Sequence, residues 1–280
     1  MLEQKDNYIQ DILGTIEKLP PMPENITRLR SICADPNSCF KDILPIIEKD
    51  PGFCADILHM ANSAYYGVRH HVDSVQEAVR YIGFNSVVDL VSVSFSNSTV
   101  KKYFSGIKDL EHYFQHSNEI ASAARCLAKT MKKNPEQQDF YATVGLLHDI
   151  GRLVIMMVSD KEIRSLIGNS WMDNPELVVK ETNIFGTDHC VIGKLICEKW
   201  QFPENIQTAI LRHHNPVKGG FNQDAAIILI SHLVSIKTMP VDLILSSLSD
   251  ELIKQAALTK EILQEARDMF TALDDTHQDR

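Results

Sequence analysis

The stretch Ala-Thr-Val-Gly-Leu-Leu-His-Asp-Ile-Gly-Arg at residues 142–152 constrains this chain more than any other. It is an apolar run interrupted by an imidazole and a carboxylate side by side. At helical spacing Val144, Leu147, His148, Gly151 and Ile155 fall on one face, which turns His148 toward the core. Asp149 lies about 100° further round, at the edge of that face. Burying two such groups in an apolar stripe is costly unless something pairs with them. A metal ion beside the helix would do so, and its remaining ligands must come from elsewhere in the sequence.

Other histidines occupy suitable positions. His116, Ile120, Ala123 and Leu127 recur at helical spacing, so His116 opens a core-facing stripe. His189 follows the capping pair Thr187-Asp188 and shares a face with Ile192 and Ile196. Ile206, Ile210 and His213 share a face of a helix that opens at Pro203 and carries His213-His214 at its end, before Asn215-Pro216 stops it. His232 lies with Ile228 and Ser235. One core-facing histidine is ordinarily a hydrogen-bonded core residue. Five apolar stripes each carrying one, with an aspartate beside one of them, point to a present or ancestral metal site.

The order His116, His148-Asp149, His189, His213-His214 resembles the signature of the HD phosphohydrolase superfamily. The upstream half resembles one branch of it, the HDOD (HD-related output) domain of bacterial signalling. The resemblance is carried by Leu19-Pro20-Pro21-Met22-Pro23, Asp50-Pro51, Ala61-Asn62-Ser63-Ala64-Tyr65-Tyr66-Gly67 and Ser74-Val75-Gln76-Glu77-Ala78-Val79-Arg80-Tyr81-Ile82-Gly83. It runs from about Ile16 to about Ser235. It implies an all-α, two-part helical bundle whose C-terminal half is HD-domain-like. It also implies His116, His148, Asp149, His189, His213 and His214 as metal ligands, with Asp149 bridging two ions.

Composition narrows the function classes. The net charge of −9 and the pI near 5.6 argue against a nucleic-acid surface, and the densest basic cluster, Lys129 with Lys132-Lys133, reads as a solvated helix end. No uninterrupted apolar run approaches a membrane span and no signal-like segment opens the sequence, so a cytoplasmic setting without a membrane partner is expected. Cysteines 33, 39, 54, 126, 190 and 197 form no Cys-x-x-Cys pair and read as reduced core thiols.

Along the chain, helices are expected over about 6–18 and 24–34, then a short one through Phe40–Ile47 despite Pro45, and another from the Asp50-Pro51 start to about Asn62. The Tyr65-Tyr66-Gly67 corner reads as a packed aromatic turn. Ser74 and Glu77 form a capping box and Gly83 a C-cap. Residues 84–100 satisfy strand and helix patterns alike, and helix is preferred because no second strand is available for pairing. Residues 1–105 form an N-terminal helical subdomain and 106–280 the HD-like one, ending in a helix near 250–273 and a frayed acidic tail. No fused receiver or sensor is recognisable, so input is expected in trans.

Three departures bear on activity. The late metal-binding aspartate of the superfamily falls at His232, which supplies nitrogen where a negative charge would offset two cations. The lysine that often follows His-Asp-x-Gly is Arg152, whose guanidinium can hold phosphate but is a poor proton donor. The segment after His214 reads Asn-Pro-Val-Lys-Gly-Gly-Phe and lacks the Gly-Tyr-Pro of the cyclic-di-GMP phosphodiesterase branch. Two functions follow. One is a non-catalytic signalling module that binds a signalling protein or small ligand and holds at most one divalent transition metal (Fe, Mn, Ni or Zn). The other is a metal-dependent phosphohydrolase with Asp149 and Arg152 as catalytic residues.

Overall fold

Helical periodicity is realised throughout, and no strand occurs among the described residues. The computed structural model describes residues 2–35, 37–62, 70–108, 110–167 and 175–278. The helices, in chain order, are α1 (Leu2–Lys18), α2 (Glu24–Ala34), α3 (Phe40–Ile47), α4 (Pro51–Ala61), α5 (Val75–Ile82), α6 (Phe84–Tyr103), α7 (Leu110–Thr130), α8 (Pro135–Leu147), α9 (Ile150–Val158), α10 (Lys161–Ile167), α11 (Pro175–Phe185), α12 (His189–Lys199), α13 (Glu204–Arg212), α14 (Gln223–Ser235), α15 (Val241–Ser247), α16 (Asp250–Gln255) and α17 (Lys260–Gln278).

They form two units, Pro20–Lys102 and a larger one made of Met1–Leu19 with Tyr103–Arg280. The sequence pattern set 1–105 against 106–280; the structure instead returns α1 to the C-terminal unit. Packing is the reason. Ile12 and Ile16 are buried, Tyr8 meets Phe185 edge to face at 5.1 Å, and Lys199 Nζ donates to Glu17 O at 3.0 Å. Periodicity shows that α1 has an apolar face, but it does not say which partner covers it.

In the Pro20–Lys102 unit the local signals act largely as read. Asp50 caps α4 by accepting from Gly52 N and Phe53 N, with Pro51 in the first turn, and α3 forms with Pro45 inside it. Ser74 accepts from Glu77 N, but the expected capping box is half-formed: Glu77 Oε1 pairs with His70 Nε2 at 2.8 Å. The ambiguous stretch is helical as α6, with Val87, Val91 and Val100 fully buried. Within the Ala61–Gly67 block, Asn62 accepts from Val72 N at 2.8 Å and donates to Val72 O at 2.9 Å, which ties the end of α4 to the residues before α5. The Tyr65-Tyr66-Gly67 corner lies outside the described residues.

The larger unit is built on two close crossings. On α8, a Cβ at Gly145 would lie 2.8 Å from Ala121 Cα of α7; on α9, one at Gly151 would lie 2.0 Å from the His189 carbonyl oxygen and 2.6 Å from Gly193 N of α12. These glycines bracket His148-Asp149 and bring the backbones of α7 and α8, and of α9 and α12, close together. The stretch Pro135–Val158 has the length and composition of a membrane span, yet 78% of its apolar window is buried inside the protein. The final helix is split. Ala256 and Ala257 form a turn between α16 and α17, with Ala257 at φ +50°, and α17 continues to Gln278 through most of the expected tail. Arg267 holds α17 in place by donating to Leu233 O at 2.9 Å and to Met239 O.

Candidate metal centre

His148 and Asp149 do not sit on one continuous helix face. α8 ends at Leu147, His148 is its C-cap, and Asp149 stands at the N-cap position of α9. Asp149 makes no capping hydrogen bond there, so its carboxylate is free to serve the ring cluster. Both residues are buried, His148 at 0% and Asp149 at 2% exposure. The break matters because it aims both side chains into the space between α7 and α12 rather than spreading them 100° apart.

One device recurs in the histidines. The last carbonyls of a helix lack intrahelical partners. His148 Nδ1 lies 2.6 Å from Gly145 O at the end of α8, and His213 Nδ1 lies 2.7 Å from Ile210 O at the end of α13. Each Nδ1–H thus satisfies a carbonyl three residues back and leaves Nε2 as a lone pair facing inward. His189, first residue of α12, does the same through a carboxylate: its Nδ1 lies 2.6 Å from Glu181 Oε2, which also accepts from the His189 backbone N–H at 2.9 Å. Asp188 caps that helix by accepting from Cys190 N and Val191 N.

The inward nitrogens gather in two sets on opposite oxygens of Asp149. His116 Nε2 and His148 Nε2 lie 3.6 and 3.5 Å from Oδ2. His189 Nε2 and His213 Nε2 lie 3.4 and 3.8 Å from Oδ1. His232 completes the first set, with donor atoms of His116, His148 and His232 all within 4.8 Å of one another. His214 completes the second, its Nε2 2.9 Å from that of His189, and Cys190 lies in the same group. All seven residues expected from the sequence are therefore brought together. Lone pairs do not converge on one another at such distances in isolation, whereas a cation between them satisfies all of them. The donor set fits one or two divalent transition ions.

Electrostatics agree with that fit. Burial pushes the Asp149 carboxyl up, but His148, Arg152 and His189 around it outweigh burial and hold it well below the usual carboxylate range. Burial first, then the charges of His214, His189 and His148, hold His213 well below the usual imidazole range against the opposing pull of Asp149. An ionised carboxylate beside a neutral imidazole is what a metal requires of its ligands. Arg152, expected to face a phosphate, is buried and donates to Asp149 Oδ2 at 3.1 Å.

Two residues were missed in the sequence. Glu181 is 1% exposed and gives the site a second carboxylate. Its signal was present, since Leu177, Glu181 and Phe185 share one stripe of α11, a charge on an apolar face. Cys190 was counted among the core thiols; its adjacency to His189 was the available clue.

The HDOD domain family matches residues 19–216, a span that holds every site residue except His232. A curated relative, an uncharacterized protein of Treponema pallidum (strain Nichols), is 24% identical over 212 residues, which is 76% of this chain and 40% of that protein. The chain thus spans less than half the length of that relative. Among solved structures, a protein of Shewanella amazonensis SB2B named "Putative phosphohydrolase" has a TM-score of 0.68 at 23% identity, covering 93% of this chain and 97% of that one. An HDOD domain protein with unknown function from Geobacter sulfurreducens has a TM-score of 0.63 at 19% identity, covering 100% and 96%. At these identities the solved structures show the fold alone.

Proposed function

Because this chain belongs to the HDOD family, we propose that it is a signal-transduction module built around a buried divalent-metal centre, acting by binding a partner or ligand rather than by turnover. The observation that carries this reading is the closure of the site. His148, His189 and His213 are fully buried and Asp149 is 2% exposed, while His116 and His214, one in each set, are half-buried; Arg152 donates to Asp149. Each set offers three imidazoles and one Asp149 oxygen, four protein donors; structural metal sites are filled in this way, whereas catalytic ones keep a position open. Two positions are available, at His116, His148 and His232 on one side and at His189, His213 and His214 on the other with Asp149 between them, and filling both would go beyond the single ion expected from the sequence.

A second reading, a metal-dependent phosphohydrolase, is favoured by one specific feature: both Asp149 oxygens face imidazole clusters. Ion pairs of that kind activate water and polarise phosphoryl oxygens. Metal analysis of the purified chain, together with turnover of a chromogenic phosphodiester in manganese, iron, nickel or zinc, separates the two. Retained metal without turnover is the expected result. Brisk turnover that is lost in His148→Ala would establish the enzyme. A chain that retains no metal would remove the enzyme and the metal centre, and leave a module that binds its partner without one.

A further inference from the structure

The two halves of the centre are chemically unequal. The half at His116, His148 and His232 offers nitrogen and the carboxylate; the half at His189, His213 and His214 has a sulfur within the same donor group. We propose that Cys190 is a protein ligand of the ion at His189, His213 and His214, making this half a thiolate-bearing site for a borderline-soft divalent ion such as Zn(II), Fe(II) or Co(II). The inference rests on the metal-centre reading above and assigns a ligand and a selectivity that the reading does not contain.

Distances are the first argument. With metal–nitrogen bonds of about 2.0–2.1 Å and a metal–sulfur bond of about 2.3 Å, donors about 90–120° apart on one ion are separated by about 2.9–3.6 Å for nitrogen pairs and about 3.1–3.8 Å for nitrogen and sulfur. His189 Nε2 lies 3.4 Å from His213 Nε2 and 3.6 Å from Cys190 Sγ. The His189–His214 separation of 2.9 Å falls at the short end of the nitrogen range, as a five-donor set that includes Asp149 Oδ1 requires. Cys190 is 4% exposed and its backbone N–H is held by Asp188 Oδ1 at 2.9 Å, so the start of α12 fixes where the sulfur can reach.

A plain S–H···N hydrogen bond would account for one of these contacts. It does not account for the crowd around the same nitrogen, because His189 Nε2 is also approached by His213 Nε2, His214 Nε2 and Asp149 Oδ1. With Nδ1–H committed to Glu181, Nε2 has a single lone pair and can take one proton, whereas a cation serves every donor at once. Ligation forms the metal–sulfur bond as the thiol proton leaves to solvent, with no change of oxidation state. The thiolate adds a negative charge beside Asp149, offsetting the charge absent at His232. It also selects against Mg(II) and Mn(II), which prefer oxygen donors. The buried Cys126 and Cys197 belong to neither donor group.

The test is cobalt spectroscopy on the full chain, stripped with chelator and titrated with Co(II). Wild type and Cys197→Ser are expected to show a near-ultraviolet sulfur-to-cobalt charge-transfer band. Cys190→Ser is expected to lose that band, keep the visible d–d bands, and bind Zn(II) at least about tenfold more weakly at one site. Zinc X-ray absorption on the wild-type chain needs no variant and reads a sulfur neighbour at about 2.3 Å. Visible d–d bands without charge transfer in wild type, or a band that survives in Cys190→Ser, would overturn the assignment while leaving the metal centre standing. No cobalt or zinc bound at all would overturn the centre and this ligand together.

Discussion

At the scale of the residue, imidazole is made a ligand by what holds its far nitrogen. His148 and His213 spend Nδ1–H on a helix-end carbonyl, and His189 spends it on Glu181. Outer partners of this kind typically carry 10–100-fold in metal affinity. Glu181→Gln is therefore expected to weaken one of two ions by about that factor and leave the other unchanged, as isothermal titration with zinc would resolve. An equal loss at both sites would make Glu181 a fold residue rather than an orienting one. At the opposite half, His232→Asp exchanges nitrogen for a charged oxygen and is expected to raise Mn(II) retention relative to zinc, measured by metal content after dialysis. Unchanged metal preference would place His232 outside the ligand set.

At the scale of the element, glycines determine whether the helices come close enough for those side chains to meet. A methyl group at Gly151 would lie 2.0 Å from the His189 carbonyl oxygen, which belongs to helix backbone and cannot rotate away. Gly151→Ala is expected to push α9 from α12, costing about 1–3 kcal/mol of unfolding free energy, read by denaturant titration, and lowering metal retention with it. Gly14 of α1 has nothing within 4 Å of where its Cβ would stand. Gly14→Ala should raise stability by about 0.5–1 kcal/mol through helix propensity alone. A Gly151→Ala chain as stable as wild type would mean that close packing at Gly151 does not limit the crossing.

At the scale of the whole molecule, the proposed centre would couple metal, pH and stability. The unfolded imidazole titrates near pH 6.5, about its ordinary value, while His213 in the fold titrates well below it. Between those values the unfolded chain binds more protons than the folded one, so stability rises with pH across the window and is lost as pH falls through it. Chelated protein is therefore expected to show a falling urea midpoint from pH 7 toward pH 5, with a shallower slope in His213→Gln. Bound metal stabilises the native state by mass action. Chelation at pH 7 should thus lower the melting temperature, and zinc should restore it. A melting temperature indifferent to chelator would mean that the cluster is packed without an ion.

What the sequence by itself determined was local: all-helical periodicity, the Asp50 and Asp188 starts, and which face of each helix carried a histidine. Five of the seven, His116, His148, His189, His213 and His232, were legible because a polar group at helical register on an apolar stripe marks itself, while Asp149 and His214 came from their neighbours and the family resemblance. The tertiary structure decided matters that depend on helices distant in sequence. It divided the donors into two sets on the two oxygens of Asp149, and it broke the helix between Leu147 and Ile150 so that both His148 and Asp149 face inward. It brought Glu181 behind His189, turned Arg152 onto Asp149, and gave α1 to the C-terminal unit. Periodicity fixes angles about one helix axis; the distance between side chains on different helices is fixed only when their backbones pack, and here Gly145 and Gly151 set that distance.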